Sequence, residues 1–543
     1  MLLRRAIEER TNSSCPPCVV VGLMSGTSLD GLDVAVVSLR GSGRSLEVID
    51  ILAFETIPLP EAEVRNPIQQ LLQRPDEQVG QSHPLQLVCK LNAAWSRFAA
   101  EAVNSLLNTL NLSNTKGDVC VVIGSHGQTL WHEGHNPAPR STLQLGDGEV
   151  LAALTETIVV SNFRTADVAV GGSGAPLVPY MDRVLSSNVI RWYRQKSSQQ
   201  REGEKKQKPV VVAFQNLGGI GNVSCEFDTT AAASETSSSS ATTAPSKLVA
   251  FDTGPANVIL NELIERTCQQ YAQHSYFQQH VWSLLPPEMA AAAAANSVCD
   301  YNGCFSSRGV VRPEWLEAWV AEHRAFIDAA PPKSTGREVF GAAFVWKHCL
   351  HLIGERKQCD DDNNGDEVVE GDDNAVMYSK NFFDLCRTAV EFTALTIVEA
   401  YQKHLAPFGD DSQVSGLFNL HEPFVAVVVL SGGGASNPMM VGRISTLLHE
   451  ACDTALRETV VTTFDELRKG VLFNHEDHCK EGISWGDAKE AVAFAILAHE
   501  KLNEIAGVFS PWCPEKGEVG TNVLSATGAS RGVVLGQLSI PTV

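Results

Sequence analysis

The chain has 543 residues, enough for about three to four domains of average length or for two large ones. A hydrophobic share of 44% and a charged share of 19% are those of a globular protein and exclude a chain that is disordered or fibrous throughout. A formal charge of −21 argues against nucleic acid or an anionic membrane surface as the main partner, because both need a positive footprint.

The N-terminal MLLRRAIEER has no apolar run for a signal peptide, and Glu8 and Glu9 count against a mitochondrial presequence. Residues 1–18 read as a flexible tail, and the lone C-x-x-C of Cys15 and Cys18 is weak ground for zinc or redox chemistry. The 14 cysteines are scattered without a ladder of spacings, so reduced thiols are expected. No stretch reaches the ~18 apolar residues of a membrane helix. A cytoplasmic protein is expected.

Residues 19–40 read as strand, tight turn, strand: VVVGL, then MSGTSLDG, then LDVAVVSL. A helical stretch at 87–110, apolar at three- and four-residue intervals, leads to a strand at 119–124. Short β-rich runs at 210–214, 248–251 and 425–430 each end at a glycine-rich or acidic turn, so strands alternate with long helices and the class is α/β. Four segments break the pattern: basic 195–208, Thr/Ser/Ala-rich 229–246, alanine-rich 287–297 and acidic 357–374. They are expected as mobile surface insertions, since such compositions bury too little apolar surface to offset the entropy of ordering.

Glycine-rich turns follow strands at 22–31, 124–127, 218–221, 252–254 and 432–434. Backbone N–H groups at such turns approach an anion closely because no Cβ intervenes. Neither a G-x-x-x-x-G-K-[ST] P-loop nor a G-x-G-x-x-G opening a helix is present. In the first turn Ser25, Thr27 and Ser28 supply hydroxyls while Asp30 and Asp33 supply hard oxygen ligands, a mixture suited to a triphosphate with Mg²⁺. A plain hairpin turn favours the same residue types.

MSGTSLDGLDVAVV (24–37) and GSHGQTLWH (124–132) resemble the first two signature blocks of the anhydro-N-acetylmuramic acid kinase family. LQLGDGEVLA (143–152), GGSGAPLVP (171–179), NLGGIGNVS (216–224), FDTGPANV (251–258), PPKSTGREVF (331–340), LSGGGASNP (430–438) and DAKEAVAFA (487–495) follow in the family's order. The likeness spans roughly 19–540 apart from the insertions.

The resemblance implies a two-domain actin/hexokinase-like fold with MgATP in a central cleft, the first domain formed by 19–160 plus about 515–543 and the second by 161–514. It implies a reaction in which the 1,6-anhydro bond of a bicyclic amino sugar is opened by water while O6 is phosphorylated. Asp252 matches the catalytic aspartate; the residues themselves leave open an aspartate that caps the helix expected over 257–266. Gly26, Thr27, Ser28, Leu29, Asp30, Gly31, Leu32 and Asp33 match the nucleotide-binding turn, with Asp30 in the metal shell. Gly218, Gly219, Gly432, Gly433 and Gly434 are the further nucleotide candidates, the last three against adenosine.

Glu490 is suggested as a second Mg²⁺ ligand, although Asp487 and Glu490 also have the spacing of a capping box. His126, Gln128, Arg164, Asp167, Lys333 and Arg337 are the candidates for the sugar side of the site. Around Arg164 the chain departs from the family: Asn162 stands for an acidic residue, and Thr165 and Ala166 replace basic ones. Lost positive charge there bears on recognition of a lactyl carboxylate, so levoglucosan kinase is the runner-up. A non-catalytic sensor on the same scaffold is the third reading, opposed by the intact Asp252 and 25–33 turn. A homodimer is expected from the resemblance alone.

Overall fold

The computed structural model describes residues 2–11, 17–26, 29, 31–73, 83–112, 121–134, 140–200, 210–227, 247–286, 299–354, 372–405, 424–452, 457–467, 485–509 and 520–541. The chain divides into two compact units, Met1–Glu202 with Asp465–Val543, and Gly203–Phe464. The divisions therefore fall after Glu202 and Phe464 rather than at the 160/161 and 514/515 positions expected. The first displacement has a plain cause: helix Pro179–Gln200 is fastened within the first unit, where Tyr180 donates its hydroxyl to Glu500 at 3.0 Å.

The first unit contains β1 (Cys18–Ser25), β2 (Gly31–Arg40), β3 (Glu47–Pro58), β4 (Val121–Glu133), β5 (Ser141–Leu145) and β6 (Ile158–Ser161). The second contains β7 (Val210–Leu217), β8 (Ile220–Phe227), β9 (Lys247–Pro255), β10 (Phe424–Ser431) and β11 (Arg457–Thr463), and β12 (Gln537–Ser539) returns to the first. Their sheets run β12-β6-β4-β1-β2-β3, with β5 on β4, and β11-β10-β7-β8-β9. In each, three antiparallel strands are continued by two parallel ones: β3-β2-β1 by β4 and β6, and β9-β8-β7 by β10 and β11. One five-strand plan thus occurs twice, the duplicated α/β architecture of an actin/hexokinase-like fold.

The central strands read as apolar runs because both their faces are covered. VVVGL in β1 and VVVAF in β7 are buried at every position. Helix Trp485–Ile505 crosses the first sheet so closely that a Cβ at Gly22 would lie 1.8 Å from the Ala491 carbonyl oxygen, and one at Gly124 2.2 Å from that of Phe494. Gly22 and Gly124 are register partners on β1 and β4, so this bare patch seats the helix. Helix Asp372–His404 is the spine of the second unit, with Phe382, Leu385, Ala389, Val390 and Ile397 fully buried along it.

Several local expectations change. Residues 2–11 of the supposed tail form a helix, and Cys18 opens β1; Cys15 lies outside the described residues. The strand expected over 119–124 runs from Val121 through GSHGQTLWH to Glu133, so 124–127 is not a turn. Likewise β9 continues through Asp252 to Pro255. Residues 195–200 complete a helix and 372–374 begin one, while 201–209, 229–246, 287–297 and 355–371 lie outside the described residues. No helix among the described residues is long and apolar enough to cross a membrane.

Candidate active site

In the first unit, the β1–β2 turn is latched to β4. Gln128 donates its amide to the Gly26 carbonyl at 3.1 Å, and its Oε1 accepts from the Ser25 hydroxyl at 2.6 Å. The same hydroxyl lies 2.9 Å from the Gly31 carbonyl, so its single proton serves one acceptor at a time. Leu29, at φ 58°, closes the turn by donating to Gly26 at 3.3 Å. Gly31 and Leu32 are buried at the start of β2, and Asp33 accepts from Thr56 at 2.6 Å. Thr27, Ser28 and Asp30 lie outside the described residues.

What delivers Gln128 to that turn is a bulge. Leu23 pairs with Ser125 but Ser25 with Gln128, so β4 carries one residue more than β1 over His126 and Gly127. Gly127 has φ 77°, and a Cβ there would lie 2.1 Å from the Leu145 carbonyl oxygen, which reserves the position for glycine.

His126 and Arg164 are brought together. His126 Nδ1 lies 2.9 Å from the Gly127 carbonyl and donates to it, leaving Nε2 to accept from Arg164 Nε at 3.0 Å. Burial first, then the Arg164 charge, push the imidazole down to about 3, so it stays neutral. Arg164 Nη1 donates to the Gly174 carbonyl at 2.7 Å, and burial lowers the guanidinium to about 10 against the opposing pull of Glu490. Glu490 is itself raised by burial and offset by Lys489 and Arg164. Its helix spans Trp485–Ile505 and includes Asp487.

Asp167 is fully buried with both oxygens engaged. Oδ2 accepts from the Gly174 amide at 2.8 Å, while Oδ1 accepts from Asn522 and Thr527, each at 2.8 Å. It brackets the GGSG loop and the C-terminal segment together.

In the second unit Asp252 stands at another bulge. Asn222 pairs with Asp252 and Gly221 with Gly254, which makes Thr253 the extra residue. Such slips re-aim side chains beside active sites. Asp252 is half-buried, its Oδ2 accepts from the Thr335 amide at 2.9 Å, and its own amide donates to the Lys333 carbonyl at 3.1 Å. Burial raises the carboxyl to about 6, opposed by the Thr335 amide, the Ser334 hydroxyl and the Lys333 charge. The neighbouring helix starts at Val258 with Asn257 at its N-cap, so Asp252 caps nothing.

Lys333 is turned inward. Its ammonium donates to the Phe326 and Ile327 carbonyls at 3.3 and 3.2 Å, at the end of helix Pro313–Asp328, over the ring of Phe326. Burial lowers it to about 8. Arg337 is exposed at the start of the short helix Arg337–Phe340.

The parallel pairing of β7 with β10 sets Ser431 opposite Asn216 and so brings the 218–219 and 432–434 turns together. Asn257 ties them to its helix: its side chain donates to the Leu217 carbonyl and its amide to that of Gly218, both at 2.9 Å. A Cβ added at Gly218 would meet nothing nearer than 3.4 Å and one at Gly433 nothing nearer than 3.7 Å. Beside Gly433 opens a cavity of about 180 Å³ lined by Asn257, Asn261, Asp300, Tyr301, Ser436 and Asn437 among others. Its floor is fixed by Asp300, which accepts from the Phe305 amide at 2.8 Å and from Asn437 at 3.0 Å. The 299–302 wall carries no motif that sequence reading could have found. Thr335 acts through its backbone amide, and a backbone donor leaves no mark in residue type.

Duplicated sheets with a glycine-turn pair, a cavity beside it and an aspartate of raised pKa at a strand bulge define an actin/hexokinase-like protein. The family model described as anhydro-N-acetylmuramic acid kinase matches residues 18–282. Proteins of that name from Bacillus cereus (strain G9842) and Bacillus thuringiensis subsp. konkukian (strain 97-27) are 33% and 32% identical over 96% of this chain, covering 100% and 99% of their own lengths. The chain belongs to the anhydro-N-acetylmuramic acid kinase family, a family of phosphotransferases. Among solved structures, a hexokinase from Schistosoma mansoni complexed with glucose aligns over 91% of this chain and 94% of its own at 10% identity and a TM-score of 0.32, too slight to argue from.

Proposed function

We propose that the protein is an ATP-dependent anhydro-N-acetylmuramic acid kinase that converts 1,6-anhydro-N-acetylmuramic acid, water and ATP into N-acetylmuramic acid 6-phosphate and ADP. Asp252 carries the reading. Within a chain alike to this family over nearly its full length, it is a carboxylate shifted by burial to about 6 and fixed by the Thr335 amide. That value leaves it largely ionised at neutral pH and closer to the ideal of a general base than an ordinary carboxylate.

In this reading Asp252 takes a proton from water as the water oxygen bonds to the anomeric carbon. The bond from that carbon to O6 breaks, and O6 bonds to the γ-phosphorus as the link to ADP breaks. The Ser25–Gln128 latch would shape the β1–β2 turn for phosphate, and Gly218, Gly219 and Gly432–Gly434 offer bare backbone beside a cavity sized for part of a nucleoside. Mg²⁺, when bound, neutralises charge on phosphoryl oxygens. Asp30 and Glu490 supply the hard oxygens it prefers and would hold it.

Arg337, exposed in the 331–340 block whose Thr335 amide grips Asp252, would be a cation for a sugar carboxylate, whereas Lys333 and Asp167 act by positioning. Use of ATP supports an intracellular location, and dimerisation rests on the family likeness. The test is ADP release from purified protein with MgATP and, in parallel, 1,6-anhydro-N-acetylmuramic acid and levoglucosan. Turnover of the muramic sugar supports the proposal; preference for levoglucosan overturns the substrate, and silence with both overturns the activity.

A further inference from the structure

On helix Pro313–Asp328, Trp319, His323 and Phe326 share the face that packs on the core, and Glu322 sits at its edge. The His323 ring lies 4.7 Å from Phe340 and 5.5 Å from Phe344, and His348, at the end of helix Ala342–His348, lies 4.8 Å from Phe344. His323 Nε2 is buried with no hydrogen-bond partner, a costly state for an imidazole nitrogen. Glu322 Oε2 stands 3.2 Å from His348 Nε2, and its Oε1 stands 2.6 Å from Lys347 Nζ. One ligand atom from each of Glu322, His323 and His348 falls within 4.8 Å of the others.

We propose that Glu322, His323 and His348 form a binding site for a divalent transition-metal ion, with Zn²⁺ the fitting occupant and water completing the shell. Two imidazole nitrogens and one carboxylate oxygen are the donor set of a borderline ion, whereas Mg²⁺ and Ca²⁺ take oxygen throughout. The site is therefore separate in kind from the ion that serves phosphoryl transfer. Ligand atoms of a tetrahedral zinc stand about 3.4 Å apart; Glu322 and His348 already meet at 3.2 Å, and no pair of the triad needs to close by more than about 1.4 Å. The half-exposed Glu322 has the freedom to do so, and Lys347, 61% exposed, can release it to solvent. Burial lowers both imidazoles from their ordinary value, which keeps them neutral as ligands.

The consequence is a clamp. His323 and His348 bracket the segment that contains the 331–337 loop, whose Thr335 amide holds Asp252. An ion bridging them ties both flanks of that loop and stabilises the fold by mass action.

Titration of metal-free protein with Co²⁺, without nucleotide, tests this. The expected result is one equivalent bound with visible d–d bands and no thiolate charge-transfer band, displaced by Zn²⁺, and abolished in His323→Gln and His348→Gln. Zn²⁺ should raise the melting temperature of the unaltered protein alone. Because the histidines pack on phenylalanines, Glu322→Gln and Lys347→Ala give readouts that do not depend on repacking: binding weakens roughly tenfold or more in the first and tightens in the second. Absence of stoichiometric binding, bands unchanged in Glu322→Gln, or no gain in Lys347→Ala overturns the proposal.

Discussion

Thr335 donates its backbone amide to Asp252 Oδ2 at 2.9 Å, and the amide of Asp252 in turn donates to the Lys333 carbonyl at 3.1 Å. The loop after helix Pro313–Asp328 therefore grips the aspartate at both carboxylate and backbone. The grip opposes the effect of burial, and the balance leaves the carboxyl at about 6.

A base must be ionised to accept a proton, so activity is retained above the Asp252 pKa and lost as pH falls through it. The acid limb of kcat/KM for the sugar should bend near pH 6 and drop about tenfold per unit below. Asp252→Asn should lower kcat by about 10²–10⁴-fold while ATP binding stays near that of the unaltered protein. A flat profile between pH 5 and 7 would remove Asp252 from proton transfer.

The Ser25–Gln128 latch makes a different prediction, in KM rather than kcat. Ser25→Ala strips a buried acceptor of its donor and loosens the Gly26 turn, and loss of about 1.4 kcal/mol there would raise the KM for ATP about tenfold. Gln128→Ala should do likewise, and the double variant should be no worse than either alone, because the two side chains act as one contact. Strict additivity in the cycle would show that they act independently.

Asp167 separates a structural role from a ligand-binding one. Its removal leaves the Gly174 amide, Asn522 and Thr527 without their buried acceptor, so Asp167→Ala should cost about 3 kcal/mol or more in urea unfolding. An unchanged urea midpoint with a raised sugar KM would return Asp167 to the substrate.

How much of this was legible depends on distance along the chain. The hairpin of β1 and β2 is local, apolar and punctuated by a small-residue turn, and it forms where the pattern places it. Helix Pro84–Thr109 likewise answers the periodicity over 87–110. Near Gly127 and Gly254, by contrast, glycine-rich composition read as turns, whereas both sit at bulges inside long strands. A bulge is a property of pairing with a strand elsewhere in the chain, so composition does not show it. The likeness of FDTGPANV to its family singled out Asp252, but that motif holds neither the amide that fixes it nor the 299–302 wall of the cavity. Arg164 and His126 were named separately as ligand contacts; only the folded β4 shows that each is the other's partner.

Lys333 was expected to face the sugar, and its geometry argues for support instead. Its ammonium hydrogen-bonds the Phe326 and Ile327 carbonyls at the close of a helix, where a cation also meets the helix dipole favourably. Lys333→Met keeps the apolar stem over Phe326 and removes the charge, so stability should fall by about 1–2 kcal/mol. The charge also holds the Asp252 carboxyl down. Without it the carboxyl rises further, and the acid limb of kcat/KM should move to higher pH, with the KM for sugar nearly unchanged. A direct ligand contact would give the reverse pattern: an unmoved acid limb and a KM raised at every pH.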